Sequence, residues 1–326
     1  GRNILPLSEE ILKEMVRGRI HFNEPHHFIY ETMWTRGCPH HCAYCINDYY
    51  SFLYKGFKTV RRRSVDNLIE EIKSIQKQFP WFNRVNFMDD DFASASNEQL
   101  SVFRDTYKKE INCHFFSLLS VLSSGEEKLS ILFDAGLRRT EIGIQSLSPA
   151  TNMLYRREYF TVDKLLNLAV TVKRIFPPGF CPTYDVILEN PWENLDDVLL
   201  TLKGILKIPR PFILQLFSLT FYPGISLYSK AVDDGIISGS KASHLKEYHD
   251  RDFSYLNLLF LMVNKRVPNC IISSLAWKPL AAVMESSPVK RFLSLFSPIY
   301  RAFKKRGVCK AHKKRFGWFI EEFSGK

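Results

Sequence analysis

Between residues 28 and 240, short apolar segments alternate with longer amphipathic ones, and this alternation limits the folds that the chain can adopt. The amphipathic segments repeat apolar residues every three or four positions, which is the spacing of one helix face. The strand-like segments cover residues 28–35, 84–88, 113–120, 140–144, 183–188 and 212–220. Strand–helix units in succession indicate parallel strands joined by right-handed crossovers. We therefore predict an α/β fold, either an open doubly wound sheet or a barrel.

Polar residues at the ends of the strand candidates favour the barrel. They are a cysteine-rich loop, Asp89-Asp90, Gln145-Ser146, Asn190 and Tyr222-Pro223. In parallel barrels the reactive side chains gather at the C-terminal ends of the strands. The sequence thus predicts an enzyme built on a partial (β/α)6 barrel of parallel strands, followed by a helical C-terminal segment.

The alternation ends near residue 240, and this change divides the chain. We expect residues 1–27 to be a lead-in, interpreted as the end of a linker from a further domain. Residues 28–240 form the barrel, and residues 241–326 form a basic helical segment. That segment carries Trp277, Phe292, Phe296, Tyr300 and Phe303 among lysines and arginines. It can pack as a cap over the barrel mouth or rest on an anionic membrane surface.

The formal net charge of +11 admits several partners. A nucleic acid, an anionic membrane or simply a solvated basic face would each account for it. We favour the solvated face, keep the membrane surface as a candidate partner and do not expect a nucleic acid. The run Arg61-Arg62-Arg63 is similarly open: it can contact a phosphate-bearing substrate or form a solvated turn before a helix, and we prefer the turn.

The chain has seven cysteines, an odd number. Four of them (Cys113, Cys181, Cys270 and Cys309) lie far apart, unlike the dense, even framework of a small secreted domain. We interpret these four as small buried apolar side chains. A reducing compartment fits this usage, so we expect a cytoplasmic protein, with attachment to a membrane surface as a further option.

The other three cysteines stand together in the segment RGCPHHCAYC, as Cys38, Cys42 and Cys45. A loop with glycine, proline and two histidines is not a core strand, so simple burial does not explain them. A closed zinc site needs four ligands, and His40 or His41 can supply the fourth. Iron–sulfur clusters are also held by cysteine thiolates, and three thiolates on a four-iron cluster would leave one iron open.

The spacing C-x3-C-x2-C, with Tyr44 before the third cysteine, resembles the signature of the radical S-adenosylmethionine superfamily. Further segments resemble its cobalamin-binding branch in the same order along the chain. These are FMDDDF (87–92), IGIQS (142–146), Tyr155 with Arg157, YDVILENPWE (184–193) and LTFYPG (219–224). The branch usually carries a cobalamin-binding domain ahead of the barrel, and no part of this sequence corresponds to one.

The resemblance implies roles for particular residues. Cys38, Cys42 and Cys45 would hold a [4Fe–4S] cluster, whose fourth iron would bind S-adenosylmethionine. Tyr44 would contact the adenine, and Arg157 would pair with the carboxylate of the cofactor. Two strand-end pairs complete the expected cofactor site. These are Asp89 with Asp90, for the amino group or the substrate, and Gln145 with Ser146, for the ribose or carboxylate.

Such an enzyme would take one electron from a reductant such as a flavodoxin or ferredoxin and form a 5′-deoxyadenosyl radical. The substrate would be a small molecule. The reactions expected of the branch are methyl transfer and rearrangement, for which cobalamin is a candidate further cofactor. The alternative is a zinc-binding interaction module that uses the cysteine loop alone. The polar pairs at later strand ends favour the enzyme, because a zinc module has no need of them.

Overall fold

The computed structural model describes residues 20–22, 28–54, 60–79, 82–237 and 254–295, and its frame is a seven-stranded sheet. The strands are β1 (Ile20–Phe22), β2 (Phe28–Thr32), β3 (Thr35–Arg36), β4 (Arg61–Arg62), β5 (Phe82–Phe87), β6 (His114–Leu119), β7 (Leu137–Gln145), β8 (Thr183–Leu188) and β9 (Ile213–Ser218). Strands β3 and β4 pair only with each other, as a short antiparallel ladder outside the main sheet.

The strand order decides between the two predicted architectures. The main sheet runs β1-β2-β5-β6-β7-β8-β9, and its last six strands are mutually parallel. Their spatial order follows the chain without the reversal that defines a doubly wound sheet. The predicted partial (β/α)6 barrel is therefore confirmed. Strand β1 adds an antiparallel edge beside β2, within the part of the chain predicted only as a lead-in.

Helices connect the strands and cover the outside of the barrel. They are α1 (Ile46–Leu53), α2 (Val65–Gln78), α3 (Asn97–Glu110), α4 (Glu126–Ala135), α5 (Pro149–Leu154), α6 (Val162–Ile175), α7 (Leu195–Ile205), α8 (Ser226–Asp233), α9 (Tyr255–Asn264), α10 (Asn269–Leu275), α11 (Lys278–Met284) and α12 (Ser287–Ser294).

Local signals in the sequence set the ends of several helices. The hydroxyl of Ser64 accepts from the Asn67 N–H at the start of α2, and Asn194 forms a capping box with Asp197 at the start of α7. Gly136 ends α4 at φ +116°, in the left-handed region that favours glycine.

Aromatic side chains fill the space between the sheet and the first helices. Phe87, Phe92, Phe103, Tyr107 and Phe115 are fully or almost fully buried. Their ring centroids lie 5.0–6.0 Å apart, mostly in edge-to-face or tilted pairs. Burying each ring stabilises the fold by about 1.5–3 kcal/mol. This cluster packs behind β5 and β6 and so fixes the strand ends that carry the acidic segment 89–91.

The C-terminal helices pack on the barrel. Leu259, Phe260 and Val263 of α9 are buried in the same core as the sheet. Asn264 accepts from the Leu214 N–H and donates to the Leu214 carbonyl oxygen, both at 2.7 Å, and so pairs with the outer edge of β9. The predicted helical character is confirmed for residues 255–294, whereas the aromatic residues beyond 295 lie outside the described part. No helix among the described residues is long and apolar enough to cross a membrane.

Candidate active site

The three clustered cysteines lie on the loop between β3 and α1. Cys38, Cys42 and Cys45 are all free and partly buried. Gly37 enters the loop at φ +96°, a conformation that glycine adopts without strain. The loop closes where the Cys45 N–H donates to the Cys42 carbonyl oxygen at 2.9 Å, and Cys45 is the N-cap of α1. The partial positive charge of that helix end favours an anionic group there.

Backbone contacts fix the loop to two distant segments. The Ala43 N–H donates to the Tyr155 carbonyl oxygen at 3.1 Å, and the Ala43 carbonyl oxygen accepts from the Leu227 N–H at 3.0 Å. Both partners lie at the C-terminal mouth of the barrel, after β7 and β9 respectively. The loop is therefore a bound part of the barrel rim.

A buried carboxylate strengthens this attachment. Asp48, in the first turn of α1, is 1% exposed. Its Oδ2 accepts from the Ser226 N–H at 2.8 Å, and its Oδ1 accepts from Arg156 Nη1 at 2.9 Å. The sequence interpretation missed this residue. The available signal was its position three residues after Cys45. It was missed because an acidic residue in the first turn of a helix is easily explained by the helix dipole alone.

The protein environment disfavours the ionised form of two of these thiols. Burial, together with the charges of Asp90 and Asp91, raises the pKa of Cys38 well above its ordinary range. Burial, helped by Cys42 and Asp90, raises the pKa of Cys45 to about 11. Such thiols become thiolates only when a cationic centre binds them. Three protein thiols on one rigid loop match the donor chemistry of an iron–sulfur cluster with one open iron.

The histidines of the loop bear on the zinc alternative. His40 Nε2 lies 3.2 Å from Asp91 Oδ2, so this ring nitrogen already has a partner. Across the described ranges, no three His, Cys, Asp or Glu side chains are grouped as ligands of a single metal ion. A closed zinc site needs four ligands at about 2.0–2.3 Å from one ion. The arrangement does not favour that site.

The three aspartates after β5 have different surroundings. Asp89 is fully buried, and its carboxylate accepts from the Trp34 N–H at 3.0 Å, the Thr35 N–H at 2.6 Å and the Thr35 hydroxyl at 2.6 Å. Burial, only partly offset by these bonds, raises the pKa of Asp89 to about 6. Asp91 is buried as well, and it accepts from the Ser120 N–H at 3.2 Å and from the Ser123 hydroxyl. Both residues fix loops of the rim.

Asp90 differs from its neighbours because it is exposed at the rim. Its charge acts on both Cys38 and Cys45, so its carboxylate lies near the thiols. Burial of the surrounding rim raises the pKa of Asp90, and a hydrogen bond from Asn47 opposes that rise. Of the predicted aspartates, Asp90 is the one that can reach a group bound beside the cysteines.

Gln145 ends β7 in an unusual conformation. Its φ is +67°, and the pairing of β7 with β8 shifts register between Gly143 and Gln145. The side chain folds back over Gly143, where an added Cβ would lie 2.9 Å from Gln145 Nε2. Gln145 Oε1 is buried and has no hydrogen-bond partner among the described residues. A buried acceptor without a partner is costly, and a donor on a bound molecule would relieve that cost.

Ser146 faces away from that acceptor. It is 1% exposed, and its hydroxyl donates to Glu193 Oε1 at 2.9 Å and lies 3.1 Å from Thr201 Oγ1. It also accepts from the Ser148 N–H at 3.2 Å. The hydroxyl therefore joins the turn after β7 to Glu193, just before α7, and to Thr201 within α7. Glu193, which belongs to the ENPWE segment, was not predicted as a site residue although it anchors this turn.

Arg157 and Tyr44 occupy the space between the cysteine loop and β7. Arg157 Nη1 and Nη2 donate to the carbonyl oxygens of Ile144 and Gly143, each at 2.9 Å. The Tyr44 hydroxyl lies 3.5 Å from Arg157 Nη1, and its ring meets the Tyr155 ring at a centroid distance of 4.8 Å. The structure thus brings the two predicted residues together, with their observed contacts made to the protein.

Comparison with known proteins gives the class of this molecule. The family model of the Radical SAM superfamily matches residues 32–202. A curated relative, the uncharacterized methyltransferase PH0819 of Pyrococcus horikoshii, is 23% identical over 205 residues, which are 63% of this chain and 42% of the relative. The chain therefore spans less than half the length of that relative.

Solved structures share the fold. The radical S-adenosylmethionine methyltransferase TsrM from Kitasatospora setae, with cobalamin and a [4Fe–4S] cluster bound, has a TM-score of 0.54 and 13% identity over 65% of this chain and 41% of TsrM. Coproporphyrinogen III oxidase HemN from Escherichia coli has a TM-score of 0.51 and 16% identity over 83% of this chain and 56% of HemN.

The family match covers more than half of the chain and includes the cysteine loop, the acidic segment after β5 and Gln145. The chain belongs to the radical SAM superfamily. The family implies a [4Fe–4S] cluster and S-adenosylmethionine as cofactors.

Proposed function

We propose that Cys38, Cys42 and Cys45 bind a [4Fe–4S] cluster and that the enzyme cleaves S-adenosylmethionine reductively on a small-molecule substrate. The observation that carries the proposal is the rigid rim loop with three free, partly buried thiols. When bound, the cluster and S-adenosylmethionine supply one electron and a 5′-deoxyadenosyl radical. The electron would come from a small reductant protein such as a flavodoxin or ferredoxin.

The surrounding residues divide into two groups in this proposal. Asp90 and Gln145 contact the cofactor: Asp90 accepts from its amino group beside the cysteines, and Gln145 accepts a hydroxyl proton of its ribose. The unpartnered Oε1 of Gln145 supports this assignment. The remaining predicted residues act through the protein, as positioning residues. These are Tyr44, Asp89, Ser146 and Arg157.

For Tyr44, Asp89, Ser146 and Arg157 this is a revision of the sequence-based roles. Tyr44 contacts Arg157 and the Tyr155 ring. Asp89 accepts three hydrogen bonds from the start of the cysteine loop, so its oxygens have little capacity for a cofactor amine. Ser146 is directed at Glu193 and Thr201. Arg157 donates from both terminal nitrogens to the end of β7, so two of its five N–H donors already bind the protein and hold the guanidinium there. Each group supports the rim on which the cofactor would rest.

Cobalamin-dependent methyl transfer is our proposal for the whole protein. The support is the similarity to two proteins, an uncharacterized methyltransferase from Pyrococcus horikoshii and the methyltransferase TsrM, whose structure has cobalamin bound. Both extend well beyond the matched part, and we propose that segments outside the barrel hold the cobalamin. Under this proposal residues 1–27 connect such a domain, residues 28–240 are the barrel, and residues 241–326 complete it.

Iron content tests the proposed cluster. We expect protein reconstituted anaerobically with iron and sulfide to contain about four irons per chain, as a four-iron cluster requires. Cys42→Ala removes one thiolate and should lower this value sharply. Cys270→Ala is the matched control. The sequence predicted Cys270 to be buried, but this was wrong: it is an exposed cysteine of α10, and its loss should leave full iron content. Stoichiometric zinc in place of iron would contradict the proposal.

A further inference from the structure

The arginine run that we interpreted as a solvated turn lines a cavity. The cavity measures 510 Å³, within the range of about 300–1,000 Å³ typical of ligand sites. It lies where the β3–β4 ladder meets the ends of β2 and β5. Its charged lining residues are Arg36, Arg61, Arg62, Arg63, Glu31 and Glu71. We call it the arginine cavity, and its lining has more positive than negative charges.

One of the two glutamates is already neutralised. Glu71 accepts from Arg63 Nη1 at 2.5 Å and from the Thr32 hydroxyl at 2.7 Å. Burial alone would raise its pKa, but the hydrogen bonds from Arg63, Tyr30 and Thr32 lower the pKa of Glu71 to about 2. Arg63 and Glu71 therefore act as an internal pair. Of the other three arginines, Arg62 is already near the charge of Asp89, and Glu31 is the remaining acidic residue of the lining.

Two of those arginines are placed against each other. Arg36 and Arg61 are direct partners in the antiparallel ladder of β3 and β4. Directly opposite residues of such a pair project to the same face with Cβ atoms about 4.5–5.5 Å apart, and like charges there are destabilising. Both residues are exposed, and neither guanidinium group has a hydrogen bond or ion pair with any other described residue. An anion between the two guanidinium groups would convert this repulsion into attraction.

The third arginine is fixed in place. Arg62 donates to Gln99 Oε1 at 2.9 Å and to Ser94 Oγ at 3.4 Å, and its guanidinium lies 4.9 Å from the Trp34 ring centroid. Burial lowers the pKa of Arg62, so a nearby anion would favour its charged form. Because the Arg62 side chain is already held in place, it contributes its charge to ligand binding with little loss of conformational entropy.

We propose that the arginine cavity binds a phosphate group of the substrate, with Arg36 and Arg61 as its direct ligands. The planar forks of arginine match the geometry of phosphate oxygens. Arg36 is two residues before Cys38, so the bound phosphate would anchor the substrate beside the cysteine loop. This inference rests on the proposed function for the reaction that the bound substrate undergoes. Binding of an anion in the cavity can be tested without turnover.

Calorimetry on the reconstituted full chain tests the site with three probes: glycerol 3-phosphate, inorganic phosphate and succinate. We expect saturable binding of glycerol 3-phosphate, at least as tight as that of inorganic phosphate and tighter than that of succinate. Arg61→Gln and Arg36→Gln should each weaken it by about tenfold to a hundredfold. Arg174→Gln removes the same charge from an exposed ion pair on α6 and should leave binding unchanged.

Three results would overturn the inference: no saturable phosphate binding, equal losses in the α6 control, or affinity for succinate that matches the phosphate ester. Binding of inorganic phosphate without the ester would overturn the assignment to a substrate. These failures are distinct from failure of the proposed function. An enzyme that cleaves S-adenosylmethionine but ignores phosphate refutes the cavity alone, whereas phosphate binding without cleavage refutes the proposed chemistry alone.

Discussion

At the residue scale, Gln145 is the clearest sign of a ligand in this site. It is held at a positive φ by a register shift in β7, and its buried Oε1 has no partner among the described residues. A glutamine fixed in this way is set to accept from a bound molecule. The neighbouring Ser146, adjacent in sequence, is fully engaged by the protein. Two adjacent residues therefore differ in their roles: Gln145 is a candidate ligand contact, and Ser146 makes structural contacts within the protein.

Gln145→Ala should weaken the binding of S-adenosylmethionine to the reconstituted protein by about three- to tenfold, the loss expected for one hydrogen bond. Equilibrium dialysis measures this directly. Gln78→Ala, at the end of α2, removes a glutamine that contacts only Ser74 and should have no effect. Unchanged affinity in the Gln145 variant would contradict its assigned role.

Asp185 offers a pH test of the barrel interior. It lies on β8, its Oδ1 has no hydrogen-bond partner in the described part of the chain, and burial together with the charge of Glu141 raises its pKa to about 8. Because the pKa is higher in the folded state than in the unfolded chain, this group favours folding below pH 4. That contribution is lost as the pH rises from 4 through 8.

Asp185→Asn removes the titration, so the variant should gain stability over the wild type as the pH rises. We expect a gain of about 2–5 kcal/mol in the free energy of unfolding between pH 5 and pH 8.5. Urea denaturation at several pH values checks it, and Asp105→Asn, on the exposed side of α3, is the control. Parallel stability profiles for wild type and Asp185→Asn would contradict the account.

At the scale of elements, the cysteine loop depends on contacts from distant parts of the chain. Asp48 joins α1 to Ser226 and Arg156, and Ala43 joins the loop to Tyr155 and Leu227. The sequence predicted the three thiols as ligands because their spacing is local. It could not predict this attachment, since the partners are up to 184 residues away, as for Ala43 and Leu227, and meet only when the barrel forms.

Asp48→Ala should therefore impair the loop more than the barrel. Loss of a buried acceptor leaves the Ser226 N–H and Arg156 unpaired, which costs about 1–3 kcal/mol of unfolding free energy. We expect lower iron content after reconstitution, with the far-ultraviolet circular dichroism of the barrel preserved. Asp66→Ala, an exposed residue in the first turn of α2, serves as the comparison. Full iron content in the Asp48 variant would show that the loop needs no such support.

At the scale of the whole molecule, strand order was predictable and the packing of the C-terminal helices was not. Alternating periodicity predicted the six parallel strands, although β7 begins at Leu137, three residues before the predicted start. The C-terminal segment was predicted as separate because its composition changes. Composition does not reveal that Asn264 pairs with Leu214 or that α9 shares the core of the sheet. The strand pairing of Arg61 was likewise not predictable, because a run of charged residues does not show which strand it will lie beside.

Asn264→Leu tests whether α9 belongs to the barrel. Loss of both amide contacts leaves the Leu214 backbone groups unpaired, so we expect the whole barrel to lose about 2–4 kcal/mol in a single unfolding transition. Ser274→Ala, on the exposed side of α10, should change little. Hydrogen exchange that increases only in residues 255–284, with the barrel unaffected, would instead support a separate C-terminal unit.

The central claim is that the cysteine loop supports reductive cleavage of S-adenosylmethionine. The direct measurement is 5′-deoxyadenosine formed by anaerobically reconstituted protein after addition of dithionite and S-adenosylmethionine. The account predicts product from the wild type and from Cys270→Ala, and none from Cys42→Ala. The claim would be contradicted by a wild-type protein that holds four irons per chain and still forms no 5′-deoxyadenosine, whether or not a phosphate-bearing substrate is added.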